Sequence, residues 1–172
     1  MVYNMKISFN KTVITFMVFL LVCCFNLENE SQLKILEKFD LDIPEPSGLA
    51  LSNDKKSLWT VSDNNSTIYN IDLKGNILKF FKIYAIDLEG IAVINDTLLC
   101  VVSERSGEII FVTSGGLEID RKYLGFTADT KNGLEGLSYD KINKRYFAVK
   151  EKNPRSLIEL DSGLNITKIT EI

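Results

Sequence analysis

From Glu45 onward the chain alternates short apolar runs with polar breaks, and no sustained helical period develops. Ile91 to Ile94 form one apolar run and Leu98 to Val102 another, separated by Asn95-Asp96-Thr97. Asn and Asp bond their own main chain and tolerate unusual backbone angles, so the pattern predicts two strands around a tight turn. The same arrangement occurs three times. Gly48, Gly90 and Gly136 align, 42 and 46 positions apart, each followed by an apolar residue: Leu49, Ile91 and Leu137. A second strand is predicted to end at Val61, Val102 and Val149, with an acid two positions later at Asp63, Glu104 and Glu151. Third strands are predicted over Ile68 to Asp72, Ile109 to Thr113 and Leu157 to Asp161, each followed by a glycine turn at Gly75, Gly116 or Gly163 and then by a fourth strand.

Four short strands every forty-odd residues are the sequence form of a β-propeller blade. The expected fold is all-β: a partial propeller of three four-stranded antiparallel blades over 45–172, in units of about 45–86, 87–132 and 133–172. The strands opened by Gly48, Gly90 and Gly136 are expected to be innermost and shortest. Three units make up only part of a propeller ring. Single blades stack on neighbours. The end faces of units one and three are therefore expected to be apolar and exposed, favouring aggregation, self-association or completion of the ring by missing blades. The segment 25–44 reads as a linker with a leading edge strand; Leu33, Ile35 and Phe39 would face inward from it.

The first 24 residues differ in kind. Lys6 and Lys11 precede the apolar run Thr12 to Phe25, and "LLVC" ends at Cys24. A membrane span needs roughly 20 apolar residues, so the run fits an export signal better. Cys24 is the expected lipidation site of a lipoprotein-type signal peptide, which would tether the mature chain to the membrane. Simple secretion and an uncleaved anchor are the alternatives. The expected location is the cell envelope or periplasm. Cys100 lies within an apolar strand and reads as a small buried hydrophobe.

Charge narrows the function. The net charge is −3, and it becomes −5 without the two lysines of residues 1–24. An acidic domain is a poor match for nucleic acid. There is no histidine in the chain, which removes a Ser-His-Asp triad, histidine-ligated zinc and an imidazole base. What remains is carboxylate chemistry. Glu89 and Glu135 each stand directly before the aligned glycine, where the first unit has Ser47. In a propeller these positions lie at the mouth of the central channel. Converging carboxylates need a cation, a basic partner or a proton, and calcium takes 6–8 oxygen ligands. Solvated glutamates at a wet mouth are the alternative. The run Val149 to Ser156 reads as a charged hairpin loop, or else as an anion grip by Lys150, Lys152 and Arg155. Trp59, Tyr69, Phe80, Phe81, Phe111, Tyr123, Phe126, Tyr139 and Phe147 read as core or inter-blade filler.

The pieces "PSGLA", "DLEGIA", "VVSER" and above all "GLEGLSYDKINKRYFAVKEKNP" resemble the SdiA-regulated (YjiK-like) β-propeller family. The resemblance covers Glu45 to the C-terminus. It implies a six-bladed, exported, often membrane-tethered propeller with calcium as a suspected ligand and no settled enzymatic activity; six blades at this period take about 250 residues, so the three units amount to half of such a ring. The matched positions implied for ligand binding are Glu89 and Glu135 at the channel mouth, and Glu104, Arg105, Lys150 and Glu151 beyond the far end of the second strand. The leading expectation is a non-enzymatic envelope module. The alternatives are a calcium-dependent hydrolase of phytase or lactonase type, and a non-functional remnant.

Overall fold

The computed structural model describes residues 33–126 and 133–172, and Cys24 with the apolar run before it lies outside them. Among the described residues there are twelve strands and no helix, hence none able to cross a membrane. The first blade comprises β1 (Pro46–Leu51), β2 (Ser57–Ser62), β3 (Thr67–Asp72) and β4 (Ile77–Lys82). The second comprises β5 (Leu88–Val93), β6 (Leu98–Ser103), β7 (Glu108–Thr113) and β8 (Glu118–Tyr123). The third comprises β9 (Leu134–Asp140), β10 (Arg145–Lys150), β11 (Ser156–Leu160) and β12 (Ile166–Glu171). Each blade is an antiparallel meander in chain order. The turns carry the expected chemistry: Asn95 Oδ1, for instance, accepts from Thr97 N at 2.9 Å.

β5 packs against both β1 and β9, so the second blade lies between the other two. One core joins blades one and two through Trp59, Val61, Ile68, Ile91, Val101 and Ile110. Another joins blades two and three through Cys100, Val102, Ile109, Tyr146, Ile158 and Leu160. Strand alternation explains the division, because successive residues of β6 point to opposite faces and each face meets a different neighbour. Burial pushes the Cys100 thiol pKa up, as expected of an inert core cysteine.

The aligned glycines mark close main-chain approaches between inner strands. A Cβ on Gly48 would lie 3.0 Å from the Gly90 Cα, and one on Gly90 would lie 2.7 Å from the Leu137 nitrogen. No side chain fits where one inner strand crosses the next, which accounts for Gly48 and Gly90; a Cβ on Gly136 would meet only Val149, at 3.9 Å.

Several sequence expectations need correction. The glycines sit two residues inside their strands rather than opening them. The inner strands are not the shortest, since β9 has seven residues and β11 five. Residues 33–45 contain no strand, and the side chains of Leu33, Ile35 and Phe39 are exposed. Instead Ile43 is buried with Tyr69 and Ile71, so this segment covers the outer part of the first blade's free face. The inner strand remains open there, with Leu49 63% and Leu51 48% exposed, and so does Phe80 on the outermost strand. Phe80 and Tyr123 are exposed on outer strands rather than acting as filler. The turn after β11 is shifted by one residue. Gly75 and Gly116 adopt left-handed φ of 88° and 94° after the first two third strands, but in the third blade Leu164 takes that place with φ 59°. Its amide bonds the Asp161 carbonyl as those of Gly75 and Gly116 bond Asp72 and Thr113.

Candidate functional site: an acidic rim

The start of an inner strand and the end of the next strand are neighbours in an antiparallel hairpin. The Asp63 amide donates to the Glu45 carbonyl at 3.2 Å, and the Glu104 amide donates to the Asp87 carbonyl at 2.8 Å. The buried hydroxyls of Ser62 and Ser103 donate to Pro44 O and Ile86 O at 2.6 and 2.5 Å, fixing the chain where it joins each inner strand. Acids that the sequence reading divided between two places therefore meet on one rim. Glu104 and Glu151 stand beside Glu89 and Glu135, not apart from them.

Local backbone geometry aims these side chains. Between Leu88 and Gly90 the pairing with β6 slips by one residue, leaving Glu89 as the extra residue of a β-bulge. The same slip between Leu134 and Gly136 leaves Glu135 as a bulge residue. In the first blade the slip lies between Ser47 and Leu49, at Gly48. A bulge interrupts strict alternation and re-aims a side chain. The bulges thus set the direction of the carboxylates that precede Gly90 and Gly136. Glu45 and Asp87 both hold left-handed φ, 44° and 63°, at the residue before their strands, a conformation disfavoured for non-glycine residues. Gly133 holds the equivalent place in the third blade, where a Cβ would lie 1.8 Å from Glu104 Cγ; its absence leaves room for the Glu104 side chain.

The carboxylates of Asp63, Asp87 and Glu89 offer three oxygens all within 4.8 Å of one another. Hydrogen bonding of a protonated Asp63 toward the neighbouring Asp87 carboxylate, followed by burial and by the charges of Glu89, Asp87 and Glu45, lifts the Asp63 pKa to about 6. Burial raises Glu89 as well; the Ser47 hydroxyl, donating to its Oε2 at 2.6 Å, opposes the rise, and Glu104 and Asp87 add to it. Glu135 rises to about 7, first through burial and then through the charges of Glu104, Glu89 and Glu151.

Basic groups do little to neutralise this rim. Arg105 Nε lies 3.2 Å from Asp87 Oδ2, with its side chain 65% exposed. Lys152 pairs with Glu151. Lys150 donates to Asn153 O at 2.7 Å, and Arg155 Nε to Glu151 O at 3.4 Å. The loop's basic side chains are thus engaged locally. The sequence reading had not singled out Asp63, Asp87 or Glu45 for this site. Their signal was available in the repeat: an acid two residues past each second strand must return to the rim where the inner strand begins.

An oxygen-only donor set suits a hard cation. Two ligands at calcium's distance of about 2.3–2.6 Å can be at most about 5 Å apart, whereas magnesium at about 2.0–2.1 Å allows about 4 Å. The three oxygens lie within 4.8 Å of one another, inside the separation that calcium ligands can have.

Compared with solved structures, the chain resembles hydrazine synthase of Kuenenia stuttgartiensis at TM-score 0.59 and 16% identity, over 81% of this chain and 39% of that one. It resembles virginiamycin B lyase of Staphylococcus aureus at TM-score 0.58 and 20% identity, over 79% of this chain and 45% of that one. A streptogramin B lyase matches at TM-score 0.57 and 17% identity, over 79% and 44%. The chain thus spans less than half the length of these proteins, and the likeness is one of propeller fold. With three bulged, glycine-stepped blades established, and with residues 28–171 matching one family throughout, the chain belongs to the SdiA-regulated family.

Proposed function

We propose that this chain is an exported, envelope-tethered propeller module that binds calcium, or a small ligand held through calcium, at the acidic rim of its inner strands. The observation that carries this reading is the Asp63–Asp87–Glu89 trio, whose oxygens fall within calcium's span while Asp63 holds a proton up to about pH 6. A site that retains protons against its ordinary acidity is one where another positive charge lowers the energy. Glu89 is common to this trio and to the pair first read from sequence, and Glu135 supplies field from the next blade. Binding is the proposed activity, with no catalytic step.

A ligand that binds only the folded form raises the melting temperature. Calcium should raise that of the wild type near neutral pH, and magnesium should raise it less. Asp63→Asn combined with Glu89→Gln should remove the calcium response. No wild-type shift, or equal shifts in both proteins, would overturn the assignment. The tether is proposed at Cys24, with no nucleic-acid partner. A fatty-acid analogue should label the wild type and not Cys24→Ala, and equal labelling would exclude that cysteine.

A further inference from the structure

The two blade-to-blade interfaces differ at one level. Cross-strand pairing sets the equivalent positions: Val61 opposes Ile68 as Val102 opposes Ile109, so the pair Trp59 and Asn70 of the first blade corresponds to Cys100 and Phe111 of the second. Between the second and third blades this level is apolar, and the Phe111 ring meets Tyr146 edge-on at 6.1 Å. Between the first and second blades it carries Asn70 instead, and a cleft of about 290 Å³ opens there. Trp59 and Val93 are its apolar lining, and exposed turn residues such as Asp54 and Asp96 stand at its edge. These turns join the ends of the strands opposite the acidic rim.

Asn70 is only 7% exposed, yet its carboxamide is half used. Nδ2 donates to Ser57 Oγ and to Leu58 O, both at 3.0 Å, and the bond to a carbonyl fixes which end of the amide is the donor. Oδ1 has no hydrogen-bond partner among the described residues and is not sealed from solvent, so it opens into the cleft that Asn70 lines. The Trp59 indole N–H is likewise unpartnered and unsealed. An apolar residue would serve packing here, as Phe111 does one blade on; an amide held by one end presents its oxygen. Both blades fix the surroundings. Lys79 Nζ donates to Ser114 O at 3.0 Å and lies 4.9 Å from the centre of the Trp59 ring. Asn53 Nδ2 donates to Asp96 Oδ1 at 2.7 Å. The Ser52 hydroxyl and the Lys56 amide hold the Asp54 carboxyl below its ordinary range, so it remains an acceptor.

We propose that this cleft binds a sugar, as one uncharged monosaccharide ring. The site is separate from the rim and independent of any cation there. Two carboxylates oppose one ammonium, so an anion is disfavoured. Among the described residues the acids grouped closely enough to hold a metal are those of the rim trio, not Asp54 and Asp96. What the cleft offers is a mixture: Trp59 and Lys79 donate, while Asn70, Asp54 and Asp96 accept. A hydroxyl group does both. A ring bearing several can answer each of these groups while its C–H surface rests on Trp59 and Val93. The cleft's volume is at the small end of ligand sites, matching one ring rather than a chain of them.

Trp59 is the only tryptophan of the chain, so its fluorescence reports on this cleft directly. The test titrates the full chain with glucose, galactose, mannose and N-acetylglucosamine, and with ethanolamine as an amine probe. A chelator in the buffer keeps the rim out of the measurement. At least one sugar should change the emission saturably, with half-saturation at about millimolar concentration, as befits a ligand of about a dozen heavy atoms. Asn70→Leu should weaken that binding about tenfold or more, since it removes the buried acceptor and nearly keeps the shape. The equivalent Phe111 shows that the position accepts an apolar side chain. Asp96→Ala, on an exposed turn, should weaken binding about fivefold and leave the melting temperature unchanged. No saturable change with any of the four sugars overturns the proposal. So does binding that survives both substitutions, or a response to ethanolamine and to none of the sugars, for the cleft then takes an amine.

Discussion

Glu135 should make the protein less stable as pH rises, and Glu135→Gln should remove that loss. In the folded chain its pKa rises from 4.5 to about 7. The folded state therefore keeps a proton that the unfolded chain has already released between those values. Stability is fullest below about pH 4.5, falls as pH rises through that window, and levels off above about 7. A rise from 4.5 to about 7 sets a ceiling of about 3 kcal/mol. Glu135 is partly open to water, and screening reduces the expected effect to about 1–2 kcal/mol. Glutamine keeps the shape without the charge. At about pH 8 the variant should be more stable than wild type by that amount, about 3–6 °C in melting temperature for a folded body of this size. At about pH 4.5, where the wild-type carboxyl is already protonated, the two should melt together. Melts in a chelator-containing, low-salt buffer across this range measure the difference, and added salt should shrink it. A gain of equal size at both pH values, or a loss at pH 8, would refute the assignment of repulsion to this rim.

Two packing predictions follow from the glycine and turn geometry. Gly90→Val should destabilise by about 3 kcal/mol or more, because its side chain meets main chain of the neighbouring inner strand at Leu137 and Gly136 as well as the packed Val102 side chain; Gly115→Ala, whose nearest neighbour would be Thr113 Oγ1 at 3.7 Å, is the tolerated control in the same urea titration. Leu164 is buried at 4% while holding φ 59°, so packing overrides a backbone cost of about 1 kcal/mol. Leu164→Gly should therefore lose less stability than Leu164→Ala, which forfeits the packing and keeps the strain; the reverse order in equilibrium unfolding would show that the side chain does not hold the turn.

The sequence by itself determined the repeat, the all-β class and the three inner strands. These depend on local periodicity and on glycines that no other residue can replace at a strand crossing. It also marked Glu89 and Glu135, since a carboxylate before two of the three aligned glycines is visible without coordinates. It did not show that both are bulge residues, because a bulge is a slip between two strands and neither strand records it alone. It did not join Glu104 and Glu151 to Glu89 in one site, although hairpin antiparallelism alone brings them together. The Asp63–Asp87–Glu89 trio draws on two blades and so depends on how one blade sits against the next. The covering of Tyr69 and Ile71 by Ile43 was likewise settled by tertiary packing. An apolar residue in an irregular segment carries no periodic signal, and its burial is decided only by which face it finds uncovered.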